Sequence, residues 1–246
     1  MGELIIKEGI IKKDPETGLE MVQDENGLWG LLGKDDIFLT SYLYKSIEPF
    51  NHGFAIVQGK DFLYGVIDTL GREIVPCKYE SISLRDDGFI RVEFDGLYGL
   101  YNRFGKKTVD CHYKYINQVS EDMFVVKNKR RLCGFVNTEG VEVVPCKYEF
   151  AGDFHEGFAV ICDLHGKYGF INKKGQIMIP FKYLYASSFN NGMAAVLNYN
   201  GLWGYIDYRG NEIVPCKYDS MEKLEDRMCE LSPNYAKRKK ITNKRR

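Results

Sequence analysis

The sequence predicts an all-β protein built from tandem repeats of about 35 residues, arranged as an open, twisted β-repeat array. Three observations predict it. An aromatic residue followed by glycine recurs along the chain at intervals of 34 or 35 residues. A tyrosine follows each of these glycines after 14 residues. Between the glycine and the tyrosine lie a turn pattern and a β-branched segment, which are typical of hairpins.

Six anchors of this kind mark the repeats, and the fourth has cysteine in place of the aromatic residue: Trp29-Gly30, Tyr64-Gly65, Tyr98-Gly99, Cys133-Gly134, Tyr168-Gly169 and Trp203-Gly204. The repeat tyrosines are Tyr44, Tyr79, Tyr113, Tyr148, Tyr183 and Tyr218. A constant spacing over six copies indicates one structural unit that stacks on copies of itself.

The anchor begins the first of four strands predicted in each repeat, named a to d. Successive side chains of a strand point to opposite faces, so the glycine leaves room for a neighbouring backbone or ring on the face away from the aromatic residue. A turn follows, with Asp68 or its equivalent at the first position and Gly71 at the fourth. This pattern predicts a type I turn, in which the glycine accepts a positive φ.

Strand b is rich in β-branched residues such as Ile74 and Val75, and it is predicted to stop at Pro76 or its equivalent. Proline lacks an N–H, so it marks the edge or the end of strand pairing. Strand c starts after the repeat tyrosine. Its apolar residues recur at a spacing of three, as in Ala151 and Phe154, which does not fit strand alternation. A bend or a single helical turn is therefore predicted there. Strand d is a short apolar segment that ends the repeat.

Both ends of the repeat region are atypical, as expected for terminal repeats. Residues 3–6 align with strand b, and Gly18 lies 35 residues before Gly53, so the N-terminus is predicted to be a degenerate repeat without strand a. Residues 220–231 align with strands c and d and are predicted to be worn strands. A short helix is the alternative, with Asp219 and Glu222 in a capping box and one apolar face: Met221, Leu224, Met228 and Leu231.

Residues 1–231 are therefore predicted to form one β domain, with a degenerate N-terminal repeat and six further repeats. Such four-stranded units stack as an open array or close into a ring like a β-propeller. The open array is favoured, because a seven-bladed ring would lack one strand and no strand exchange that closes it is obvious. Propeller-like closure is the alternative.

These motifs resemble the WG-repeat family, also called KWG repeats, which is found mostly in bacteria. The resemblance covers roughly residues 3–231 and includes the segment Glu-Ile-Val-Pro-Cys-Lys-Tyr at 73–79. Cys133 departs from the motif at an anchor, and Ser41 and Asp110 replace the proline in two repeats. The resemblance implies a binding or scaffolding module and no single biochemical activity.

Charge separates an acidic body from a basic tail. The chain has 34 basic and 34 acidic residues, but residues 232–246 carry seven of the basic residues and no acidic one. A segment of like charges with few apolar residues is predicted to be disordered. No apolar run approaches the ~18 residues of a membrane helix, and the first residues do not form a secretory signal. A cytoplasmic protein without a membrane partner is expected.

The residues with reactive side chains predict neither a catalytic nor a metal site. Four of the seven cysteines share one repeat position, which Phe181 occupies in another copy, so small apolar thiols in a reducing compartment are expected: Cys77, Cys111, Cys146 and Cys216. There is no C-x-x-C pair and no H-E-x-x-H motif. Asp68 and Asp207 have asparagine at the same position in other repeats, so they are interpreted as turn formers. No catalytic residue, cofactor or metal ligand is predicted.

The first functional hypothesis is a non-enzymatic scaffold for protein–protein interaction, because a repeat array offers an extended surface. The alternative is a binder of nucleic acid or another anionic partner through two basic segments. Their residues are Lys127, Lys129, Arg130, Arg131, Lys237, Arg238, Lys239 and Lys240. The aromatic residues could stack on nucleic-acid bases, but they recur in register and are predicted to lie in the core.

Overall fold

A computed structural model of the chain describes residues 11–33 and 37–231, which contain 24 β-strands and one α-helix. The strands form six antiparallel sheets of four strands each. The predicted all-β repeat architecture is therefore confirmed. Residues 3–6 and 232–246, for which the sequence predicts a strand and a disordered tail, lie outside the described residues.

The chain divides into two compact units, Met1–Tyr115 and Ile116–Arg246. The first unit holds sheets 1 to 3. Sheet 1 contains β1 (Ile11–Lys13), β2 (Glu20–Gln23), β3 (Trp29–Leu32) and β4 (Phe38–Tyr44). Sheet 2 contains β5 (Ser46–Ile47), β6 (Phe54–Gln58), β7 (Tyr64–Asp68) and β8 (Glu73–Tyr79). Sheet 3 contains β9 (Ser81–Leu84), β10 (Phe89–Phe94), β11 (Leu97–Asn102) and β12 (Lys107–Tyr113).

Sheets 4 to 6 and helix α1 belong to the second unit, whose first strand begins one residue before the boundary. Sheet 4 contains β13 (Tyr115–Ile116), β14 (Met123–Lys127), β15 (Cys133–Asn137) and β16 (Glu142–Tyr148). Sheet 5 contains β17 (Phe150–His155), β18 (Phe158–Cys162), β19 (Tyr168–Asn172) and β20 (Ile177–Tyr183). Sheet 6 contains β21 (Tyr185–Ala186), β22 (Ala194–Leu197), β23 (Trp203–Ile206) and β24 (Glu212–Tyr218), and α1 spans Met221–Leu231.

Each sheet combines strands c and d of one repeat with strands a and b of the next repeat. In sheet 5, β17 and β18 belong to the repeat that starts at Cys133, whereas β19 and β20 belong to the repeat that starts at Tyr168. The degenerate N-terminal repeat supplies β1 and β2 to sheet 1. Strand exchange between repeats, which is not obvious from the sequence, is thus a property of every sheet.

Within each unit, neighbouring sheets bury their faces against each other. In the second unit, Phe135 of sheet 4 meets Phe154 of sheet 5 with ring centroids 4.9 Å apart. Phe170 of sheet 5 meets Phe189, which precedes β22, at 4.8 Å. Because central sheets are covered on both faces, their strands read as nearly continuous apolar runs rather than as a clean alternation.

The anchor glycine is required by a close approach of backbone, as the sequence predicts. A Cβ on Gly169 would lie 2.6 Å from the carbonyl oxygen of Ile179, and a Cβ on Gly204 would lie 2.6 Å from that of Val214. Strand b shifts its register against strand a at this point, which moves its backbone over the glycine. Any side chain here would force the two strands apart.

The prediction that strand b stops at proline is wrong. β8 continues for three residues beyond Pro76 and ends at Tyr79. It is the outermost strand of its sheet, and its register shifts in this region, so the missing N–H removes no ladder hydrogen bond that the sheet needs. Proline therefore marks an edge strand here and does not end it.

The predicted turn after strand a is confirmed. The Asp68 side chain accepts hydrogen bonds from the backbone N–H groups of Leu70, at 3.0 Å, and Arg72, at 2.9 Å. Gly71 adopts a φ of +74° and donates its N–H to the Asp68 carbonyl oxygen at 2.9 Å. Asparagine makes the same side-chain bonds in other repeats, which supports a turn-forming role rather than a catalytic one.

The bend predicted in strand c is present in sheet 5. The pairing of β17 with β18 shifts its register between Ala151 and Phe154. The shift allows both side chains to be buried, which a regular strand would not allow at a spacing of three residues.

The prediction of worn strands at residues 220–231 is wrong, because this segment forms helix α1. Leu224 and Met228, four residues apart, are buried against Ala195, Tyr205 and Val214 of sheet 6. The helix thus covers the face of sheet 6 that is not packed on sheet 5. The described part of the chain holds no helix long and apolar enough to cross a membrane.

The start of α1 also differs from the capping box considered for a helix here. The cap is Ser220, whose hydroxyl accepts a hydrogen bond from the Lys223 backbone N–H at 3.3 Å. Asp219 instead forms an ion pair with the Lys223 ammonium group at 2.7 Å.

The repeated cysteines are half-buried thiols two residues before the end of strand b. Burial, reinforced by the nearby glutamate that begins the strand, raises the pKa of Cys77, Cys146 and Cys216 to about 11. The folded thiols therefore stay protonated when the unfolded ones, with a pKa of 9.0, ionise. Through this linkage the free energy of unfolding should fall as the pH rises above about 9.

We expect these thiols to react with a thiol reagent at neutral pH about 100-fold more slowly in the native protein than after unfolding in denaturant, because the thiolate is the nucleophile. The measurement is the rate of labelling at Cys146 and Cys216, resolved by peptide mass. Equal rates in the two states would contradict the assignment of these residues to the packed interior.

Candidate functional site

The two ends of the sheets in the second unit carry different residues. Strands a and c start at one end, which we call the anchor end, and the turns between strands d and a lie there as well. In the second unit these turns are residues 128–132, 163–167 and 198–202. The opposite end carries the turns between strands c and d and between strands a and b.

Four aromatic rings form a continuous line at the anchor end of sheets 5 and 6. Phe150 lies 6.1 Å from Tyr168, Tyr168 lies 5.6 Å from Tyr185, and Tyr185 lies 5.6 Å from Trp203, all measured between ring centroids. We call these four residues the aromatic row. Phe150 and Tyr185 are each 43% exposed, and Tyr168 and Trp203 are half-buried. The row therefore presents ring surface to solvent.

Strand register produces this line of rings. Phe150 and Tyr168 are the first residues of β17 and β19, and both pair with Cys162, the last residue of the strand between them. Residues in register on adjacent strands share a face, so the two rings lean towards each other over the smaller Cys162 side chain. Tyr185 and Trp203 have the same relation across Leu197 in sheet 6.

Further exposed apolar side chains lie at the same end of sheets 5 and 6. They lie at the tips of two anchor-end turns and beside the start of β21: Leu164, Leu184 and Tyr199. All three are exposed. Exposed apolar side chains that form one contiguous patch are typical of interaction surfaces.

Anchors of the first unit have different neighbours. The Lys12 ammonium group lies 4.7 Å from the centre of the Trp29 ring, and the Arg91 guanidinium lies 4.8 Å from that of Tyr98. A cation over a ring is an attractive contact that covers the face of the ring. Trp29 and Tyr98 in the first unit thus contact cations, whereas Tyr168 and Trp203 in the second unit contact other aromatic rings.

The basic cluster predicted as an anionic-partner contact lies on one turn at the anchor end of sheet 4. Lys127 ends β14 and is half-buried, whereas Lys129, Arg130 and Arg131 are exposed. The Asn128 side chain shapes the turn by accepting hydrogen bonds from the backbone N–H groups of Arg130, at 2.9 Å, and Leu132, at 3.1 Å. We call residues 128–132 the basic turn. The other predicted contacts lie outside the described residues: Lys237, Arg238, Lys239 and Lys240.

The prediction that the aromatic residues lie in the core holds for part of the set. Four repeat tyrosines are buried: Tyr44, Tyr79, Tyr148 and Tyr183. Tyr113 and Tyr218 are half-buried, and so are all of the aromatic anchors. Phe150 and Tyr185 were not identified from the sequence, although their spacing of 35 residues, just after the repeat tyrosine, would have indicated them.

Carboxylates at the opposite end of the second unit have structural partners. Glu156 accepts hydrogen bonds from the backbone N–H groups of Asn191, at 2.6 Å, and Gly192, at 2.9 Å, and from the Tyr208 hydroxyl at 2.8 Å. These bonds hold the pKa of Glu156 below its usual range. A cavity of about 600 Å³ adjoins this cluster, but the Glu156 carboxylate in its wall already binds neighbouring sheet 6. Among the described residues, no group of three or more His, Cys, Asp or Glu residues could hold a metal ion.

Several solved structures are similar to this chain at low identity. The computationally designed Ika8 protein shares 12% identity with a TM-score of 0.36, covering 79% of this chain and 70% of its own. BamB from Moraxella catarrhalis shares 9% sequence identity with a TM-score of 0.34, and the match covers 85% of this chain and 76% of BamB. Hsv2 from Kluyveromyces lactis shares 8% sequence identity with a TM-score of 0.33, and the match covers 80% of this chain and 73% of Hsv2. Scores this low carry no argument about function.

No curated protein matches the sequence. A family model described as the WG containing repeat matches six consecutive segments: 29–61, 64–98, 98–130, 134–168, 168–203 and 203–226. Each segment begins at or directly after an anchor, and together they cover most of the chain. The chain therefore belongs to the family of proteins with WG-containing repeats.

Proposed function

We propose that this protein is a non-enzymatic interaction scaffold that binds a partner protein through the aromatic row of its second unit. The observation that carries the proposal is the line of four contacting rings with exposed apolar neighbours at the anchor end. Aromatic residues are enriched at protein interfaces, where tyrosine and tryptophan are the most frequent residues with large energetic contributions.

The sheets make this surface suitable for binding. Each ring of the aromatic row starts a strand and contacts the next ring, so the side chains are ordered before a partner arrives. Preordered side chains lose little conformational entropy on binding. A tyrosine or tryptophan also combines a large apolar area with one polar group that a partner can satisfy.

We expect a Phe150→Ser/Tyr185→Ser double variant to lose a partner that the unaltered protein retains in affinity capture. The loss should be about tenfold or more, as for removal of a central interface residue. The control is Phe104→Ser, which removes a ring that is 83% exposed, on the turn between β11 and β12 of the first unit. The proposal would be overturned if the unaltered protein, the double variant and the control captured the same set of proteins. Circular dichroism would first show that all three forms are folded.

The second candidate is binding of an anionic partner, and the basic turn favours it because three cations are exposed on one hairpin. If it is correct, a Lys129→Ala/Arg130→Ala/Arg131→Ala variant should bind DNA or RNA more weakly. On duplex DNA, the logarithm of its binding constant should fall less steeply with the logarithm of the salt concentration. The slope should be flatter by ~0.9 for each phosphate that the variant no longer neutralises. Deletion of residues 232–246 should have a similar effect. An unaltered protein that shows no salt-sensitive binding to nucleic acid would exclude this candidate.

A further inference from the structure

We propose that the first unit contains a binding site for a small molecule with one carboxylate on an apolar body, in a cavity between sheets 2 and 3. This inference is separate from the scaffold function. Three observations carry it. A carboxylate bridge found between other sheets is missing here, a cavity lies at the same place, and an arginine of its wall makes no ion pair among the described residues.

Carboxylates bridge the turns between strands c and d in three pairs of neighbouring sheets within the described parts of the chain. These pairs are sheets 1 and 2, sheets 4 and 5, and sheets 5 and 6. In each pair a glutamate of one turn accepts a hydrogen bond from a backbone N–H of the next turn. The bonds join Glu16 to Gly53 at 3.2 Å, Glu121 to Gly157 at 3.0 Å and Glu156 to Gly192 at 2.9 Å. The repeat therefore has a place for a carboxylate between two sheets.

No such bridge joins sheets 2 and 3, whose residues are all described. The glutamate position of this turn holds His52, which precedes the turn glycine and has a φ of +51°, close to the +55° of Glu156. The corresponding glycine of sheet 3 is Gly88, with a φ of +81°. Its N–H donates to the Arg85 carbonyl oxygen of its own turn at 3.1 Å. His52 thus lies where a carboxylate lies in the bridged pairs.

A cavity of about 340 Å³ lies at this position, and both His52 and Gly88 line it. Its apolar wall comes from strands β6, β9 and β10 and consists of Phe54, Leu84, Phe89 and Ile90. These side chains are buried or half-buried. Ligand pockets measure about 300–1,000 Å³ and combine apolar walls with a few polar groups. The cavity therefore has the size and lining of a site for a small molecule.

Arg103 supplies the available positive charge of this cavity. It lies on the turn between β11 and β12, is exposed, and has its guanidinium 5.9 Å from the centre of the Phe104 ring. The other arginine of the wall, Arg85, is neutralised by Asp87, whose Oδ1 accepts a hydrogen bond from the Arg85 Nε at 3.1 Å. Both side chains of this pair are 9% exposed. The pair is therefore a fixed part of the wall, and Arg103 is left to bind a ligand.

The polar groups favour a single carboxylate. A guanidinium presents two parallel N–H groups that match the two oxygens of a carboxylate, and the His52 ring offers a further N–H. Asp86 is exposed in the same wall and makes no ion pair among the described residues. Its charge repels a second negative charge, so a monocarboxylate is favoured over a dicarboxylate or a phosphate monoester. Burial of the rest of the ligand against the apolar wall adds to its affinity.

Three acids test the site by isothermal titration calorimetry on the full-length protein: benzoate, 3-phenylpropanoate and indole-3-acetate. We expect saturable binding of at least one of them, with a dissociation constant of about 1 mM or lower, as is usual for ligands of this size. The matched amides have nearly the same shape without the charge. They should bind about tenfold more weakly, because they lose the charge-assisted hydrogen bonds to Arg103.

Four variants with exposed substitution sites locate the binding, and circular dichroism checks that each is folded. Arg103→Gln should weaken binding of the best acid about tenfold. Arg209→Gln, on the corresponding turn between β23 and β24, is the matched control and should leave binding unchanged. His52→Glu should also weaken binding about tenfold, since it restores a carboxylate of the chain at this position. Asp86→Asn should strengthen binding, because it removes a like charge.

Saturable binding of none of the acids, or equal binding of acids and amides, would overturn the inference. An equal loss in Arg103→Gln and Arg209→Gln would also overturn it, since the loss would then be a general effect of charge. Tighter binding of N-acetyl-alanyl-phenylalanine than of the free acids would assign the cavity to a peptide C-terminus instead of a small molecule. None of these results depends on the aromatic row.

Discussion

Replacing Tyr148 by alanine should lower the free energy of unfolding by about 3–5 kcal/mol, the range found for loss of a buried aromatic side chain. Tyr148 is 5% exposed and lies in the core between sheets 4 and 5, with its ring 5.9 Å from that of Phe181. Alanine would leave a cavity that two packed sheets cannot close. The measurement is urea denaturation followed by circular dichroism.

Tyr199→Ala is the matched control for this prediction. Its ring lies on an exposed turn of the same unit, so its removal should change the free energy of unfolding by no more than ~0.5 kcal/mol. An equal loss in both variants, or no loss in Tyr148→Ala, would show that the repeat tyrosine does not hold the sheets together.

A second large effect is expected for Gly134→Ala, at about 3 kcal/mol of destabilisation. The added Cβ would lie 2.5 Å from the Val144 carbonyl oxygen and 2.8 Å from the Cys146 backbone nitrogen. Both obstacles are backbone of the paired strand, which no side-chain rotation can relieve, so the strands must separate. Thermal and urea unfolding of the purified variant measure the effect.

Gly33→Ala tests whether close approach, rather than loss of glycine itself, is the cause. A Cβ at Gly33 would meet no atom closer than 3.4 Å, which is ordinary van der Waals contact. We therefore expect a change within ~0.5 kcal/mol. If Gly134→Ala were as well tolerated as Gly33→Ala, the explanation for the anchor glycine would fail.

Local patterns account for much of what the sequence predicted correctly. The turn at Asp68 and Gly71 is predictable because it depends only on residues within the turn. The repeat architecture is predictable because the anchors recur at a constant spacing. Residues 221–231 differ because strands c and d pair with strands a and b of a following repeat, and the described structure provides none there. Without these partners, the helical spacing of Leu224 and Met228 determines the structure.

The repeat spacing could have indicated the residues of the aromatic row, but their exposure could not be predicted in the same way. The repeat shows that Tyr168 and Trp203 are equivalent, but their exposure depends on which side chains lie beside them, from the same sheet or from the next one. Tyr185 contacts both rings, whereas Lys12 and Arg91 cover the anchors of sheets 1 and 3. Equivalent positions in a repeat therefore share a backbone environment without sharing a surface.

Strand exchange between repeats also determines how the chain would respond to cleavage. A cut in the turn 163–167 separates two repeats but divides sheet 5, leaving β18 and β19 on different fragments with their five residue pairs still available. Such fragments should reassociate, because each carries two strands of one sheet. A cut at Glu149, between sheets 4 and 5, leaves both sheets intact and no shared ladder. Complementary fragments of this protein should therefore be made by cutting in the turn just before an anchor. One sequence repeat ends there, but the sheet continues into the next repeat.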